Sequence, residues 1–185
     1  GELALIGAPG ENDGQGAIYV YQKSGDAWTQ QAHIANPDTA TGFSFGEAIA
    51  VEGNQLFVGA PEDKGGAVHV FTNDVGSWTK QATLTSRSVD EEAVFGATIA
   101  IKGNQVLVGA PRHAAGSGAV FVYNHNVDNN SWTSGGRLVA YDGGPRSGFG
   151  ASVAFVGSSA WIGAPGVDGG KGALYEFQRA EDGNA

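Results

Sequence analysis

The chain has 185 residues, 41% of them hydrophobic, and a formal net charge of −9. It is long enough to bury a core, and its acidic balance argues against nucleic-acid binding and against electrostatic docking onto anionic membranes. Glycine contributes 31 residues without a Gly-X-Y period, which excludes collagen and indicates many turns between short apolar runs, as in an all-β chain. There is no cysteine and no apolar run long enough to span a membrane, so we expect neither disulfides nor direct membrane insertion. The sequence does not begin with Met, and we expect it to be part of a longer chain.

Internal repeats dominate the sequence. Gly-Ala-Pro begins at Gly7, Gly59, Gly109 and Gly163, at intervals of 52, 50 and 54 residues. Phe-Gly pairs and tryptophans recur with the last two of those intervals, at Phe45, Phe95 and Phe149 and at Trp28, Trp78 and Trp132. Markers that keep one register predict repeated structural units. We place those units at 1–42, 43–92, 93–146 and 147–185, the first and last of them partial, within a single region spanning 1–185.

Each complete unit predicts four short strands. The first unit begins in a second strand. In the second unit we expect strands over 45–51, 55–59, 67–71 and 78–84, joined by Gly- and Asn-rich turns. In the third unit the matching strands cover 95–101, 105–109, 119–123 and 132–139, and the last unit stops after a third strand. The total is fourteen strands.

The third strands predict how the sheets pack. The segments 67–71 and 119–123 are apolar or aromatic at nearly every position, which indicates burial on both faces. Four-stranded repeats of about fifty residues, packed face to face, form a β-propeller. A flat solenoid is the structural alternative. The tryptophans that open the fourth strands are expected to cover the core, and His69, which stands where other units carry Tyr19, Phe121 and Tyr175, is expected to be a packing substitution.

The combined motif resembles the FG-GAP repeat in its bacterial-type form, related to the repeats of integrin α-subunit propellers. It consists of Phe-Gly, an aliphatic strand, a Gly-Asn turn, Val-Gly-Ala-Pro, Gly-Ala-Val-x-Val-Phe/Tyr and a Trp. The resemblance implies a seven-bladed propeller, extracellular or at the cell surface, used in adhesion or recognition. Fourteen strands are half of what seven four-stranded blades need. The chain is then an arc or half of such a propeller, and a compact four-bladed ring is the alternative.

Related repeats often carry a calcium loop between the first and second strands. The corresponding turns here are 52–54, 102–104 and 156–159, which lack the several carboxylates that calcium requires, so we expect no cofactor. Glu11 and Asp13, in the loop Glu11-Asn12-Asp13-Gly14, are the weak metal candidates, and calcium is the alternative to an absent cofactor.

Strand alternation predicts that the second-to-third and fourth-to-first loops share one face of the disc. They carry ten of the 19 acids and five of the ten bases. As possible binding residues on this face we single out Glu11, Asp13, Glu62, Asp63, Arg112, Asp142, Arg146 and Asp168. Solvated loops are the plain interpretation, and a recognition face for a basic or cation-bridged partner is the sharper one.

Three functions remain open from the sequence. The first is a non-catalytic binding module of a secreted or cell-surface protein, with a protein or glycan partner held by the loops. The second is a structural subunit that associates with itself or with further blades of a longer chain. The third is a lyase or hydrolase scaffold, for which the residues expected near the axis, Glu47, Thr98 and Ser152, offer little chemistry.

Overall fold

A computed structural model describes residues 2–38, 44–62, 65–86 and 92–178. Fourteen strands and three short helical turns are present in these ranges. The strands are β1 (Leu3–Ala8), β2 (Ala17–Ser24), β3 (Ala27–Ala35), β4 (Ile49–Glu52), β5 (Gln55–Ala60), β6 (Ala67–Asp74), β7 (Ser77–Leu84), β8 (Thr98–Lys102), β9 (Gln105–Ala110), β10 (Ala119–Asn126), β11 (Ser131–Leu138), β12 (Ser152–Val156), β13 (Ser159–Ala164) and β14 (Ala173–Gln178). The helical turns are α1 (Glu11–Gly14), α2 (His113–Gly116) and α3 (Val167–Gly170).

The strands form four antiparallel meanders, which we call blades 1 to 4. Blade 1 is β1-β2-β3, blade 2 is β4-β5-β6-β7, blade 3 is β8-β9-β10-β11 and blade 4 is β12-β13-β14. The first sheet lacks a first strand and the last lacks a fourth among the described residues. The all-β propeller architecture, with its fourteen strands, is confirmed.

The first strands are shorter than the sequence predicts. We expected strands from Phe45 and Phe95, but β4 starts at Ile49 and β8 at Thr98. The backbone explains the difference, because the residue before each of these phenylalanines and the glycine after it have positive φ, which interrupts extended structure. Glu47, expected on a first strand near the axis, is therefore in the bend before β4.

A β-bulge recurs at one repeat position. The register between third and fourth strands shifts at Val20/Tyr21, at Val70/Phe71 and at Val122/Tyr123. One residue of each fourth strand is therefore left without a partner, and the strand twists more strongly beyond it. The shift decides which fourth-strand side chains lie beside a given third-strand residue.

The blades pack front to back. We call the face of a blade that meets the next blade its front, and the face that meets the preceding blade its back. One buried cluster joins the front of blade 2, including Phe57 and Val68, to the back of blade 3, including Val108 and Phe121. Similar clusters join blades 1 and 2 and blades 3 and 4. The predicted burial of both faces is confirmed for β6 and β10, whose first five residues are all buried.

The repeated glycines allow this close packing. A Cβ on Gly59, in the Gly-Ala-Pro motif of blade 2, would collide with the carbonyl oxygen of Gly96, which follows Phe95 at the start of blade 3. The amide of Gly96 in turn donates to the carbonyl of Gly109 at 3.0 Å. Phe95 is fully buried and stacks edge to face on Phe121, at 5.5 Å between ring centroids. The Phe-Gly and Gly-Ala-Pro motifs are thus two sides of one joint between blades.

The outermost faces of the arc are open. Ile6 on the back of blade 1 is 53% exposed, and Leu174 on the front of blade 4 is 60% exposed. Their counterparts in the inner blades, such as Val58 and Val68, are fully buried. The structure therefore favours an arc over the compact four-bladed ring, in which these two faces would bury each other.

Candidate functional site

The second-to-third turns and the fourth-to-first loops meet on one side of the arc, which we call the loop face. Gly16 forms a parallel bridge with Phe45, Gly66 with Phe95, and Gly118 with Phe149. Backbone hydrogen bonds extend each junction, as where the amide of Gly148 donates to the carbonyl of Gly116 at 2.8 Å. These contacts hold the described parts of the loops of neighbouring blades to one another.

Three of the second-to-third turns share an unusual backbone. α1, α2 and α3 each contain two consecutive residues in the left-handed region: Asn12 and Asp13, Ala114 and Ala115, Asp168 and Gly169. Asn, Asp and Gly tolerate this conformation, whereas alanine adopts it at a cost. Among these three turns, α2 is therefore the one whose sequence fits its backbone least well. Such strain makes it a candidate functional site.

The structure places most of the predicted binding residues on the loop face. Asp13, Glu62, Arg112, Asp142, Arg146 and Asp168 are exposed, and Glu11 is half-buried. Asp63 lies outside the described residues. Both signs of charge occur along the arc, since Glu92 and Arg112 line one depression and Asp142 precedes Arg146 in one loop. Glu11 and Asp13 belong to blade 1, and Arg112 and Arg146 flank turn α2 of blade 3, where the amide of Arg146 donates to the carbonyl of Ala115 at 3.3 Å.

Glu11 belongs to a polar cluster on the back of blade 1. One of its carboxylate oxygens accepts a hydrogen bond from the Tyr19 hydroxyl at 2.6 Å, and the other lies 2.8 Å from His33 Nε2. The bond from Tyr19 is the main cause that holds the pKa of Glu11 below its usual value, and the same bond raises the pKa of Tyr19. Asp13 makes neither of these contacts.

On blade 3, the repeat positions of Glu11 and His33 carry a different pair of side chains. His113, in turn α2, matches Glu11, and Arg137, on β11, matches His33 in the strand register. Arg137 Nη1 donates to His113 Nε2 at 3.0 Å, so this ring nitrogen carries no proton. His113 is buried, whereas Arg137 is exposed. A depression of about 230 Å³ adjoins the pair and is lined by Ala114, Ser117, Gly118, Val139, Ala140 and Gly143 as well.

Sequence reasoning missed this pair and the Glu11 cluster. Both depend on the fourth strand, whose register beyond the bulge cannot be read from alternation. The usable signal was repeat alignment, because both Glu11 and His113 precede their third-strand partners, Tyr19 and Phe121, by eight residues.

The third-strand position itself is polar in two other blades. The Tyr175 hydroxyl donates to Asp142 at 2.6 Å, and this bond is the first cause that raises the pKa of Tyr175 to about 12. His69 is fully buried, edge to face with Phe45 at 5.5 Å, and burial lowers its pKa to about 4. Asp38 lies 3.8 Å from its Nδ1. A neutral ring packed on an aromatic neighbour fits the predicted packing substitution.

The first-to-second turns, on the opposite face, do not fit a calcium ion. Glu52 accepts a hydrogen bond from the amide of Gly103 at 2.7 Å, and the Lys102 ammonium donates to the carbonyl of Gly157. These side chains bridge successive blades, and a lysine supplies no oxygen ligand. In the described ranges no three His, Asp or Glu side chains are grouped so that they could hold a metal.

In the inner blades, the tryptophans that open the fourth strands cover the core, as predicted. Trp78 and Trp132 are partly buried against the clusters between blades, and Trp132 lies edge to face with Phe57 at 5.4 Å. Trp28 differs, since it is 46% exposed on blade 1.

Antiparallel sheets of three or four strands that pack front to back through Phe-Gly and Gly-Ala-Pro joints define this chain as a β-propeller repeat protein. The family profile described as the FG-GAP repeat matches residues 28–71, 78–123 and 132–177. The chain belongs to the FG-GAP repeat family. Each match begins on the fourth strand of one blade and ends on the third strand of the next, so one sequence repeat spans a joint between blades.

No curated protein matches the chain. Over the residues that the structure describes, no helix has the length and apolar character needed to cross a membrane.

Proposed function

We propose that this chain is a non-catalytic binding module of a secreted or cell-surface protein, and that the loop face contacts a protein or glycan partner. The observation that carries the proposal is the hydrogen-bonded junction of loops from successive blades, which presents Asp13, Arg112, Arg146 and Asp168 on one side of the arc. Loops positioned by a rigid scaffold are where binding residues concentrate.

The exposed charges of the loop face suggest how a partner would be held. Acidic side chains such as Asp13 and Asp168 and arginines such as Arg112 and Arg146 are exposed on the loop face, where they can pair with opposite charges of a partner. Complementary charge contributes mainly to association rate and orientation. We therefore expect binding to weaken as salt is raised.

The test uses the chain itself as a probe on arrays of glycans and of extracellular proteins. The first variant combines Asp13→Asn, Arg112→Gln, Arg146→Gln and Asp168→Asn, which removes loop-face charge without changing net charge. The matched control, Glu52→Gln with Lys102→Gln, does the same on the opposite face. Loss of binding in the first variant alone supports the proposal, and equal binding by both variants contradicts it.

A second candidate is a structural role in a larger assembly. The exposed apolar side chains Ile6, Trp28 and Leu174 favour it, because large apolar patches on soluble proteins mark contact sites. Light scattering tests this candidate. A mass that rises with concentration for the chain, and not for Ile6→Ser with Leu174→Ser, supports assembly through these faces, whereas a monomer at all concentrations contradicts self-association.

A further inference from the structure

We propose that the depression beside Arg137 and His113 is a subsite for a carboxylate side chain, Asp or Glu, of a protein partner. This inference rests on the proposed function of the loop face and adds to it the chemistry of one contact. Its geometry comes from the guanidinium, the buried imidazole beneath it and the depression that both line.

The guanidinium is oriented and has donors to spare. Arginine carries five N–H donors in a planar fork, and the bond from Nη1 to His113 Nε2 uses one of them. His113 is only 8% exposed and stacks edge to face with Phe121 at 5.9 Å, so it is a fixed support. An arginine held in this way loses less conformational entropy when it binds a carboxylate.

The positive charge of Arg137 is not neutralised by an ion pair within the part of the chain that the structure describes. The same holds there for Arg112 and Arg146, beside turn α2. Three arginines near one turn stand out in a chain of net charge −9. A planar arginine fork matches a carboxylate with two parallel hydrogen bonds.

The size of the depression selects the kind of ligand. About 230 Å³ is less than the roughly 300–1,000 Å³ of sites that enclose a complete small molecule. Val139 and Ala140 give it an apolar wall next to the charged group. This combination suits one acidic side chain, whose methylene groups contact the wall while its carboxylate meets Arg137.

The backbone of turn α2 supports a functional reading. Ala114 lines the depression, and both Ala114 and Ala115 have positive φ, at 53° and 58°. Strain in non-glycine residues persists where the surrounding structure fixes it, and it is concentrated at functional sites. The strained turn sets the position of His113, and through it that of Arg137.

The test is a titration followed by amide chemical shifts of the isotopically labelled chain. The probe is the blocked pentapeptide Gly-Gly-Glu-Gly-Gly, and its control carries Gln in place of Glu. We expect saturable shifts in residues 113–118 and 137–140 with the Glu peptide and none with the Gln peptide. Arg137→Gln should weaken binding about tenfold or more, as expected for the loss of charge-assisted hydrogen bonds. Arg112→Gln makes the same change of charge on the same face and should alter the affinity less than about twofold.

Several results would overturn the subsite. These are the absence of saturable shifts, equal response to both peptides, or equal loss in the two arginine variants, which would indicate general attraction. Saturable shifts with methyl glucuronide but not with the Glu peptide would assign the depression to an acidic sugar instead. A thermal melt of Arg137→Gln checks that the fold is intact, with Arg137→Lys as a second variant that keeps the charge. If the loop face binds its partner while the Glu peptide does not bind, only the subsite is wrong.

Discussion

The inner and outer blades use the same sequence pattern in different surroundings. Trp132 of blade 3 lies against Phe57 of the blade before it, whereas Trp28, at the same repeat position of blade 1, is 46% exposed. Likewise, Val68 is fully buried on the front of blade 2, and Leu174 is 60% exposed on the front of blade 4. Burial in this fold is therefore set by the neighbouring blade rather than by the strand that carries the residue.

This contrast predicts a large difference between two truncations. Phe95→Ala empties the joint between blades 2 and 3 and should lower the free energy of unfolding by about 3–5 kcal/mol. Leu174→Ala removes an exposed side chain and should cost less than about 1 kcal/mol. Urea unfolding followed by tryptophan fluorescence measures both, and similar costs would break the distinction between inner and outer blades.

Acidification should lower the stability of the chain through the buried His69 of blade 2. Its pKa is about 4 in the folded chain and near 6.5 when unfolded, so only the unfolded chain gains a proton as the pH falls between these values. Stability is thus lost on acidification from pH 6.5 to pH 4, by up to about 3 kcal/mol at about 1.4 kcal/mol per pKa unit. His69→Phe should remove this loss and leave stability above pH 7 little changed.

Unfolding curves at pH 7.5, 5.5 and 4.5 compare His69→Phe with the parent chain, and His33→Phe, on the outer face of blade 1, serves as the control. A parallel pH dependence of the parent chain and His69→Phe would show that His69 is not the group responsible.

A substitution at Gly59, in the joint between blades 2 and 3, should have a smaller effect on stability. Gly59→Ala should cost about 1–3 kcal/mol, because its Cβ would meet the carbonyl oxygen of Gly96 in the next blade. Gly10→Ala is the matched control, with no atom within 4 Å of the new Cβ and an ordinary backbone at φ −86°. We expect the midpoint temperature of thermal unfolding to fall below that of the parent chain only for Gly59→Ala. Equal midpoints for the two variants would argue against the close approach of blades.

The smallest difference concerns two tyrosines. Tyr175→Phe breaks the bond from a buried tyrosine to the exposed Asp142 and should cost about 1 kcal/mol, whereas Tyr19→Phe, at a partly buried tyrosine on the open face of blade 1, should cost less. In addition, Asp142→Asn should lower the pKa of Tyr175 from about 12 towards 10, as ultraviolet titration can show. An unchanged titration curve would contradict the contact.

The sequence predicted the fourteen strands and their grouping into repeated units because Phe-Gly and Gly-Ala-Pro recur in one register. It misplaced the starts of β4 and β8, since the positive φ of Val94 is imposed by the joint and is not a preference of valine. Exposure of Trp28 was not predictable, because it depends on a neighbouring blade. The Arg137 and His113 pair was missed because a bulge sets its register.

Hydrogen exchange with a partner bound tests most directly whether the loop face is the recognition surface. We predict that binding slows amide exchange in the turns at 10–16, 112–118 and 166–172. The turns of the opposite face, at 52–55 and 102–105, should exchange as in the free chain. Protection confined to the opposite turns, or to the outer faces of β1 and β14, would contradict the claim.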